Sequence, residues 1–396
     1  MSNDTGRRSG ETPLAPIDWE QENSTDRTVP WRFLLFSAGL VGLWLLYRYT
    51  NSHGIGVVYP WRPTKLTWLF RVSLLALVCF ALPSLVRNTR RNRRYWERFR
   101  SNRLAVVSLV SLILFAILAM VGPALLGRPA TDPTVARQPP LLFSSKLGLV
   151  TSTCVGPTVN GFCHGSLAYP LGTSTLGQDM VLLVLSGMHV SLQVGVIIAV
   201  LMIPLATVVG LVAGYSGGAV DTVLMRYVDV QQSVPAFVVY LIFVFLAGPS
   251  LFVFVVVFGL LNWGSIARLV RSEVIQRREE EYVEAARSAG VSRWTILRKH
   301  LLPNVSNTVL IGTTQKIPQL VLLETALTFI GIGDVGRFAP SFGDTIATGL
   351  LDNFYTIPIK VWWIWTIPVV VLVFTVVALS IVGDTLRDVF DPRGDV

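Results

Sequence analysis

The hydrophobic positions of this chain fall into eight long apolar runs separated by shorter polar stretches. The runs are about 31–50, 66–86, 104–126, 188–213, 224–247, 251–268, 306–332 and 361–383. Each run is close to the roughly 20 residues that a helix needs to cross a bilayer. Helices satisfy their own backbone hydrogen bonds in lipid. The pattern therefore predicts an all-α, polytopic membrane protein with about eight transmembrane helices.

Composition supports a membrane location and argues against a nucleic-acid partner. Hydrophobic residues make up 52% of the 396 positions and charged residues only 14%, whereas soluble domains carry roughly 25% charged residues. The net charge is +9. Its basic residues stand in short clusters between apolar runs, as in the cytoplasmic loops of membrane proteins. We therefore expect membrane lipids, and no nucleic acid, around this chain.

The distribution of Lys and Arg predicts the orientation of the chain. The stretches 87–103 and 268–303 each hold eight Lys or Arg residues, nearly all of them Arg, whereas the long polar stretch 127–187 holds only three. The positive-inside rule places the first two stretches in the cytoplasm and the third outside. Both termini are then cytoplasmic. Residues 1–30 contain no apolar stretch and are predicted to be a disordered tail without a cleavable signal peptide.

The predicted elements divide the chain into an addition and a core. Residues 31–86 form two extra N-terminal transmembrane helices. Residues 87–103, which combine many arginines with Tyr95, Trp96 and Phe99, read as a basic interfacial helix with its arginines among lipid phosphates. Residues 104–396 then hold a core of six spans.

The most informative polar segment is 281–290. Read as a helix, it places an apolar stripe on one face, formed by Tyr282, Ala285, Ala286 and Ala289. Gly290 follows where a C-cap glycine belongs, and Ser292 can cap a second helix running toward Leu302-Pro303. The stripe is too small to form a core, so it suits a groove in a partner. The alternative is an ordinary amphipathic linker between two spans.

This segment resembles the EAA loop of ABC importer permeases. The matching residues are Glu284, Ala285, Ala286, Gly290, Leu302 and Pro303. His300 stands where the family pattern has an apolar residue. The resemblance implies that a coupling loop at about 275–303, with Tyr282 and Ala289 on its helix, docks on a separate ATPase subunit.

Further motifs in the same order resemble the dipeptide/oligopeptide branch of these permeases, over roughly residues 95–396. They include Pro170-Leu171-Gly172-Thr173, Gly177, Asp179, Gly214-Tyr215, Gly217-Gly218, Asp221, Asp229, Pro340-Ser341, Gly343 and the C-terminal Asp391-Pro392-Arg393. Tyr169, Ser174 and Gln178 depart from the pattern. Residues 31–86 lie outside the resemblance.

The resemblance implies a permease subunit of an ATP-driven importer for peptides or similar small solutes, in a prokaryotic cell membrane. Its implied partners are a homologous second permease, two ATP-binding subunits and an extracytoplasmic solute-binding protein. Gly172 and Gly177 have phosphate-loop spacing, but Gln178 and Asp179 follow where Lys and Ser or Thr are required. The sequence therefore predicts no cofactor in this chain, with ATP and Mg in the partner subunits.

Two ionisable residues, Lys316 and Glu324, lie inside the seventh predicted span, where such groups are functional candidates. They are eight positions apart, so on an ideal helix they point about 80° apart and cannot pair directly. Glu324 fits the family pattern, in which this helix borders the translocation path, whereas Lys316 has no recognised counterpart. The alternative is that both face a polar subunit interface.

Three smaller features leave alternatives open. Cys154 and Cys163 in the predicted outer loop form either a disulfide, which an oxidising exterior allows, or two free thiols. Gly210-x-x-x-Gly214 allows close helix approach, within this chain or to a second permease. Arg226 and Asp229 are three apart and can pair on one helix face.

Two other functions compete with the importer. A secondary carrier would usually place acidic residues at the membrane midplane, and these are scarce here. A membrane-embedded enzyme or sensor would need a catalytic cluster or a large soluble domain. The four histidines are scattered, and we predict no catalytic residue and no metal site.

Overall fold

The computed structural model describes residues 31–52, 64–81, 89–148, 153–334, 340–351 and 358–390, and most of them are helical. The all-α prediction is confirmed. The helices are α1 (Trp31–Ser52), α2 (Lys65–Phe80), α3 (Thr89–Ser101), α4 (Arg103–Leu126), α5 (Met180–Ser216), α6 (Gly218–Ser233), α7 (Ala236–Ala247), α8 (Leu251–Leu261), α9 (Gly264–Arg277), α10 (Glu281–Ser288), α11 (Arg293–Thr295), α12 (Leu302–Phe329), α13 (Phe342–Leu351) and α14 (Trp363–Phe390). The predicted tail at 1–30 and the motif from Asp391 lie outside the described residues.

Four helical segments of the described chain are long and apolar enough to cross a membrane: α4, α5, the joined α8–α9 (Leu251–Arg277) and α14. The pair α6–α7, bent by 61°, makes a fifth if it is one span. The predicted spans at 31–50, 66–86 and 306–332 correspond to α1, α2 and α12, which are not among these five. Helix α2 has only 16 residues, and α12 carries Gln315, Lys316, Gln319 and Glu324 along its length. The count of eight therefore stays a prediction.

Helix α5 is the central element, and α2, α4, α8, α9 and α12 all pack against it. Its 37 residues correspond to a length of about 55 Å. It begins eight residues before the predicted span because Met180 and Leu183 are buried against Trp363 rather than placed in a polar loop. Asp179 caps this first turn, and its carboxylate accepts a 2.8 Å hydrogen bond from the Val181 amide.

The Gly210-x-x-x-Gly214 pattern is used inside the chain. A Cβ atom on Gly210 would lie 2.6 Å from the Ala267 carbonyl oxygen, and one on Gly214 would lie 2.7 Å from Cβ of Val274. Small residues let two helices approach closely where lipid removes the hydrophobic driving force for association. The two glycines therefore fix the contact between α5 and α9, which answers one question that the sequence left open.

A small subdomain that the sequence did not predict lies between α4 and α5. It contains a three-stranded antiparallel sheet in the order β1-β3-β2, with β1 (Ser144–Lys146), β2 (Thr158–Val159) and β3 (Phe162–His164). Cys154 and Cys163 are joined in a disulfide with 5.6 Å between their Cα atoms. Strands of two or three residues are too short to show the alternation by which a strand is recognised.

The N-terminal helices α1, α2 and α3 pack through aromatic contacts. Helix α1 lies against α2, where Phe33 and Phe80 meet edge to face at 5.2 Å. Helix α2 packs on α5, with the ring of its buried Phe70 5.8 Å from that of His189. Helix α3 packs on the end of α14, where Tyr95 meets Phe390 at 4.9 Å. Its predicted interfacial position in the membrane stays a prediction.

Candidate coupling surface and buried carboxylate

Helix α10 is a short helix with a well-defined end. Gly290 adopts a left-handed conformation with φ of +77°, which glycine reaches without steric cost. The Val291 amide donates to the Ala286 carbonyl at 3.1 Å, and the Gly290 amide donates to Arg287 at 3.0 Å. These two bonds form a Schellman motif. Ser292 then caps the next helix by accepting from the Thr295 amide at 3.3 Å, so both predicted caps are confirmed.

The buried and exposed residues of α10 do not follow the predicted apolar stripe. Val283 is 0% exposed and joins the main hydrophobic core, and the partly buried Ala286 packs beside it. Ala285 and Ala289 are exposed, and Tyr282 is 38% exposed. The predicted stripe is therefore split, because Val283 and Ala286 hold the helix to its own chain. The small side chains on the other face remain open to solvent.

Tyr282 and the departing His300 belong to one polar contact. Their ring centroids lie 6.0 Å apart. The Asn304 amide donates to the Tyr282 hydroxyl at 3.1 Å and to the His300 carbonyl at 2.9 Å. His300 stands in a π-helical turn, Ile296–Leu301, that leads directly into α12. Leu302 and Pro303 thus form the first turn of α12, and α10 is tied to that turn.

Three arginines connect the neighbourhood of α10 to the long helices. The Arg287 guanidinium lies over the Tyr215 ring at 5.9 Å, and Arg278 donates to the Gly214 carbonyl at 2.9 Å. Arg271 of α9 makes a two-pronged contact with Asp221 of α6, with both distances 2.5 Å. Planar guanidinium–carboxylate pairs of this kind fix orientation as well as distance.

One predicted ion pair is wrong. Asp229 pairs with Arg268 of α9 at 2.7 Å, and not with Arg226 on its own helix. The Asp221–Arg271 pair was also not predicted from the sequence, although Asp221 belongs to a family motif. Both partners lie on α9, about 40 to 50 positions away along the chain, where helical spacing gives no signal.

Glu324 lies on α12 and is 3% exposed. The Thr328 hydroxyl donates to its carboxylate at 3.1 Å, and the Thr325 hydroxyl is 3.4 Å from the other oxygen. Helix α13 covers this site, since a Cβ atom on Gly343 would lie 2.9 Å from Cβ of Thr328. In this conformation Glu324 is therefore closed off from solvent and held by hydroxyl groups.

Lys316 does not join Glu324. Its side chain is half-buried on the same helix, about 12 Å away along the helix axis. Among the histidines of the described chain, His189 contacts the Ala119 carbonyl oxygen at 2.8 Å through its ring nitrogen Nδ1, and this contact links α5 to α4. No group of three metal-ligating side chains is found over the described residues.

Known proteins match most of the chain. The family described as "Binding-protein-dependent transport system inner membrane component" matches residues 206–395. The "N-terminal TM domain of oligopeptide transport permease C" matches residues 91–140. The first match runs from within α5 through the coupling loop to α14, and the second covers most of α3 together with α4. Residues 141–205, α1 and α2 lie outside both matches.

Individual relatives agree with these matches. The dipeptide transport system permease protein DppC of Bacillus subtilis is 30% identical over 298 residues, which cover 75% of this chain and 84% of the relative. The oligopeptide transport system permease protein OppC of Mycobacterium bovis is 33% identical over 300 residues, with 75% and 92% covered. OppC of Haemophilus influenzae is 28% identical over 305 residues, with 76% and 89% covered. The chain therefore belongs to the binding-protein-dependent permease family, in the dipeptide and oligopeptide branch of the ABC importers.

Proposed function

We propose that this chain is one permease subunit of an ATP-driven importer and that it carries peptides or similar small solutes across a prokaryotic cell membrane. It pairs with a homologous second permease, and two ATP-binding subunits hold the ATP and Mg. An extracytoplasmic solute-binding protein delivers the solute. The relatives' names support the peptide class, and the Lys and Arg distribution supports cytoplasmic termini.

The exposed face of α10 carries this proposal. Ala285, Ser288 and Ala289 are open to solvent on a helix whose other face is anchored by Val283. Because small side chains allow close approach, this face fits a groove in an ATP-binding subunit. Glu284 is also exposed and can meet a basic group at the edge of that groove.

The contacts behind α10 provide a path for motion. Val283 couples the helix to the core, and Arg271 and Arg278 couple the adjoining α9 to α6 and α5. When the ATP-binding subunits close on ATP, a displacement of α10 reaches these long helices through packed contacts. ATP shifts the permease between its inward- and outward-facing states only if those contacts differ in free energy between the states.

Glu324 and Lys316 are our candidates for the translocation path. Both lie on α12, whose first turn is tied to α10 through Asn304 and Tyr282. Movement of α12 relative to α13 would open the buried Glu324 site to the path. Lys316, already half-buried, lies between the coupling loop and that site.

Arginine substitutions test the coupling surface. Ala285→Arg and Ala289→Arg place a long charged side chain on the exposed face without removing a contact within the chain. We expect both variants to reach the membrane and to copurify with the second permease, but to lose the ATP-binding subunits and their ATPase activity. The matched control is Ala130→Arg, which changes an exposed alanine just after the C-terminal end of α4.

Retention of the ATP-binding subunits by both α10 variants would contradict the docking of this face. A wild-type chain that purifies alone and still moves solute would instead favour a secondary carrier, since such a protein draws on an ion gradient. The comparison of wild type and variants thus separates a wrong docking surface from a wrong function.

A further inference from the structure

Four large apolar side chains project from the small subdomain between α4 and α5. Leu142 is 89% exposed and Leu167 is 79% exposed, and Leu141 and Phe143 are exposed beside them. We call these four residues the apolar rim. Large apolar side chains held in water lose the roughly 1.5–3 kcal/mol that burial of each would provide. A contiguous group of them therefore indicates a contact surface.

The apolar rim is held in place by backbone hydrogen bonds. Its first three residues form a turn in which the Phe143 amide donates to Pro140 at 2.9 Å. The Leu141 amide donates to Pro170 at 3.1 Å, and the Gly165 amide donates to Phe143 at 3.0 Å. These bonds bring the segment that contains Leu167 next to the turn, so the rim is one fixed surface.

The sequence around the rim is free of charge. No Asp, Glu, Lys or Arg stands between Arg137 and Lys146, and none stands between His164 and Asp179. Charged residues occur elsewhere in the same subdomain, for example the exposed Asp132. The Thr134 side chain and amide both donate to the Asp132 carboxylate and lower the pKa of this carboxyl group, so its charged form is favoured.

The rim adjoins the end of two membrane spans. The Phe143 ring meets that of Trp362 edge to face at 4.9 Å, and Trp362 immediately precedes α14. Trp363 donates its indole N–H to the Thr173 carbonyl at 3.1 Å and packs against Met180 at the start of α5. Tryptophan residues at the ends of spans are typical of the boundary between lipid and water.

We infer that the apolar rim inserts into the headgroup region of the bilayer and anchors the subdomain to the membrane beside the ends of α5 and α14. The ligand is a lipid surface rather than a protein. The rim continues the aromatic boundary of a span, and both of its segments are free of the charged side chains that are costly to place in a bilayer. The inference depends on α14 crossing the membrane and not on what the protein transports.

Fluorescent labels at single cysteines test this inference. Leu142→Cys and Leu167→Cys are introduced one at a time into a chain that also carries Cys79→Ala. Reductant is omitted so that the Cys154–Cys163 disulfide stays intact. Each variant carries an environment-sensitive dye in nanodiscs of phosphatidylcholine and phosphatidylglycerol, with and without brominated acyl chains. The matched control is Thr131→Cys, an exposed position next to Asp132.

We expect dyes at 142 and 167 to emit at shorter wavelength than the dye at 131 and to be quenched by brominated lipid. Emission at 142 and 167 identical to that at 131, without quenching, would overturn the inference. A change that appears only after a solute-binding protein is added would also overturn it and would assign the rim to that protein. Since both side chains are largely exposed, the labels should not disturb folding, and thermal unfolding of the labelled protein checks this.

Discussion

Asp179 caps the first turn of α5, and Asp132 caps a short 3-10 turn at Pro133–Val135. Their surroundings shift the pKa values of the two carboxyl groups in opposite directions. Partial burial raises the pKa of Asp179 more than its hydrogen bond from the Val181 amide lowers it. Hydrogen bonds from Thr134 lower the pKa of Asp132. A raised carboxyl pKa means that the folded state loses stability as pH rises through the range between the unfolded and folded pKa values. A lowered pKa means that stability is lost as pH falls through the folded pKa.

Asparagine substitutions should reveal this difference, because asparagine keeps the capping oxygen and removes the charge. Asp179→Asn should be at least as stable as wild type at neutral pH, and this advantage should shrink in acid. Asp132→Asn should lose stability at neutral pH, and its deficit should shrink as pH falls. Asp179→Ala, which removes the cap, should cost about 1 kcal/mol. Thermal unfolding in detergent as a function of pH measures all three. Parallel pH profiles for the two asparagine variants would contradict the assignment.

Glu324 can serve the transport step or only the packing of α12 against α13. Glu324→Gln keeps an oxygen that can accept from Thr328 but removes the charge. If Glu324 borders the path, this variant should fold and assemble normally, and solute uptake should fall by about tenfold, equivalent to ~1.4 kcal/mol. Uptake into proteoliposomes with the complete importer is the measurement. Thr328→Val, which removes only the hydroxyl donor, is the control for packing. Full uptake by Glu324→Gln would remove Glu324 from the path.

At the scale of elements, the contact between α5 and α9 depends on two glycines. Gly214→Ala would place a methyl group 2.7 Å from Cβ of Val274 and 2.8 Å from the Arg271 carbonyl oxygen. We expect the helices to separate at a cost of about 1–3 kcal/mol, which thermal unfolding would detect. Gly42→Ala on α1 is the matched control, because nothing lies within 4 Å of the added Cβ atom. Equal unfolding temperatures for the two variants would show that this contact is not tight.

Local chemistry explains which elements of the coupling site the sequence could predict. Gly290 and Ser292 were identifiable because capping depends on residues a few positions apart. Val283 was not identified as the anchor, since periodicity shows that residues share a face but not whether that face meets the same chain or a partner. The Arg268–Asp229 pair joins two helices that are distant in sequence, and nothing in either helix alone identifies its partner.

Longer-range packing explains the rest of the fold. The apolar runs predicted the helices, but the polar residues of α12 leave its crossing of the membrane to be tested. The sheet subdomain could not be predicted, because its strands of two or three residues are too short to show an alternation of apolar and polar residues. Its organisation depends instead on the buried Gln138, whose side chain donates to the Thr153 carbonyl at 2.6 Å and accepts from the Val155 amide. Such tertiary hydrogen bonds have no local sequence signal.

At the scale of the whole molecule, α1 and α2, which we call the hairpin, lie outside the part of the chain that the family models match. The relatives cover about three quarters of this chain, and the family matches begin at residue 91. The hairpin meets the core through α2, where Phe70 joins the main buried cluster and contacts His189. The contacts that hold α10 come from the loop itself and from α5, α9 and α12. We therefore propose that the hairpin stabilises the core without taking part in coupling.

Removal of residues 1–86 tests this division. The shortened chain keeps α3 and α4, and α4 is apolar enough to cross a membrane, so we expect it to insert. It should copurify with the ATP-binding subunits and show solute-stimulated ATPase activity close to that of the full chain. It should also unfold at a lower temperature, since the Phe70 contact on α5 is lost.

Phe70→Ala in the full chain should lower the unfolding temperature as well, but by less. The substitution should reduce the free energy of unfolding by about 3–5 kcal/mol at most, the cost for a fully buried phenylalanine. If the shortened chain inserts but loses the ATP-binding subunits while Phe70→Ala retains them, the hairpin contributes directly to assembly. A shortened chain with unchanged unfolding temperature would instead show that the hairpin does not stabilise the core.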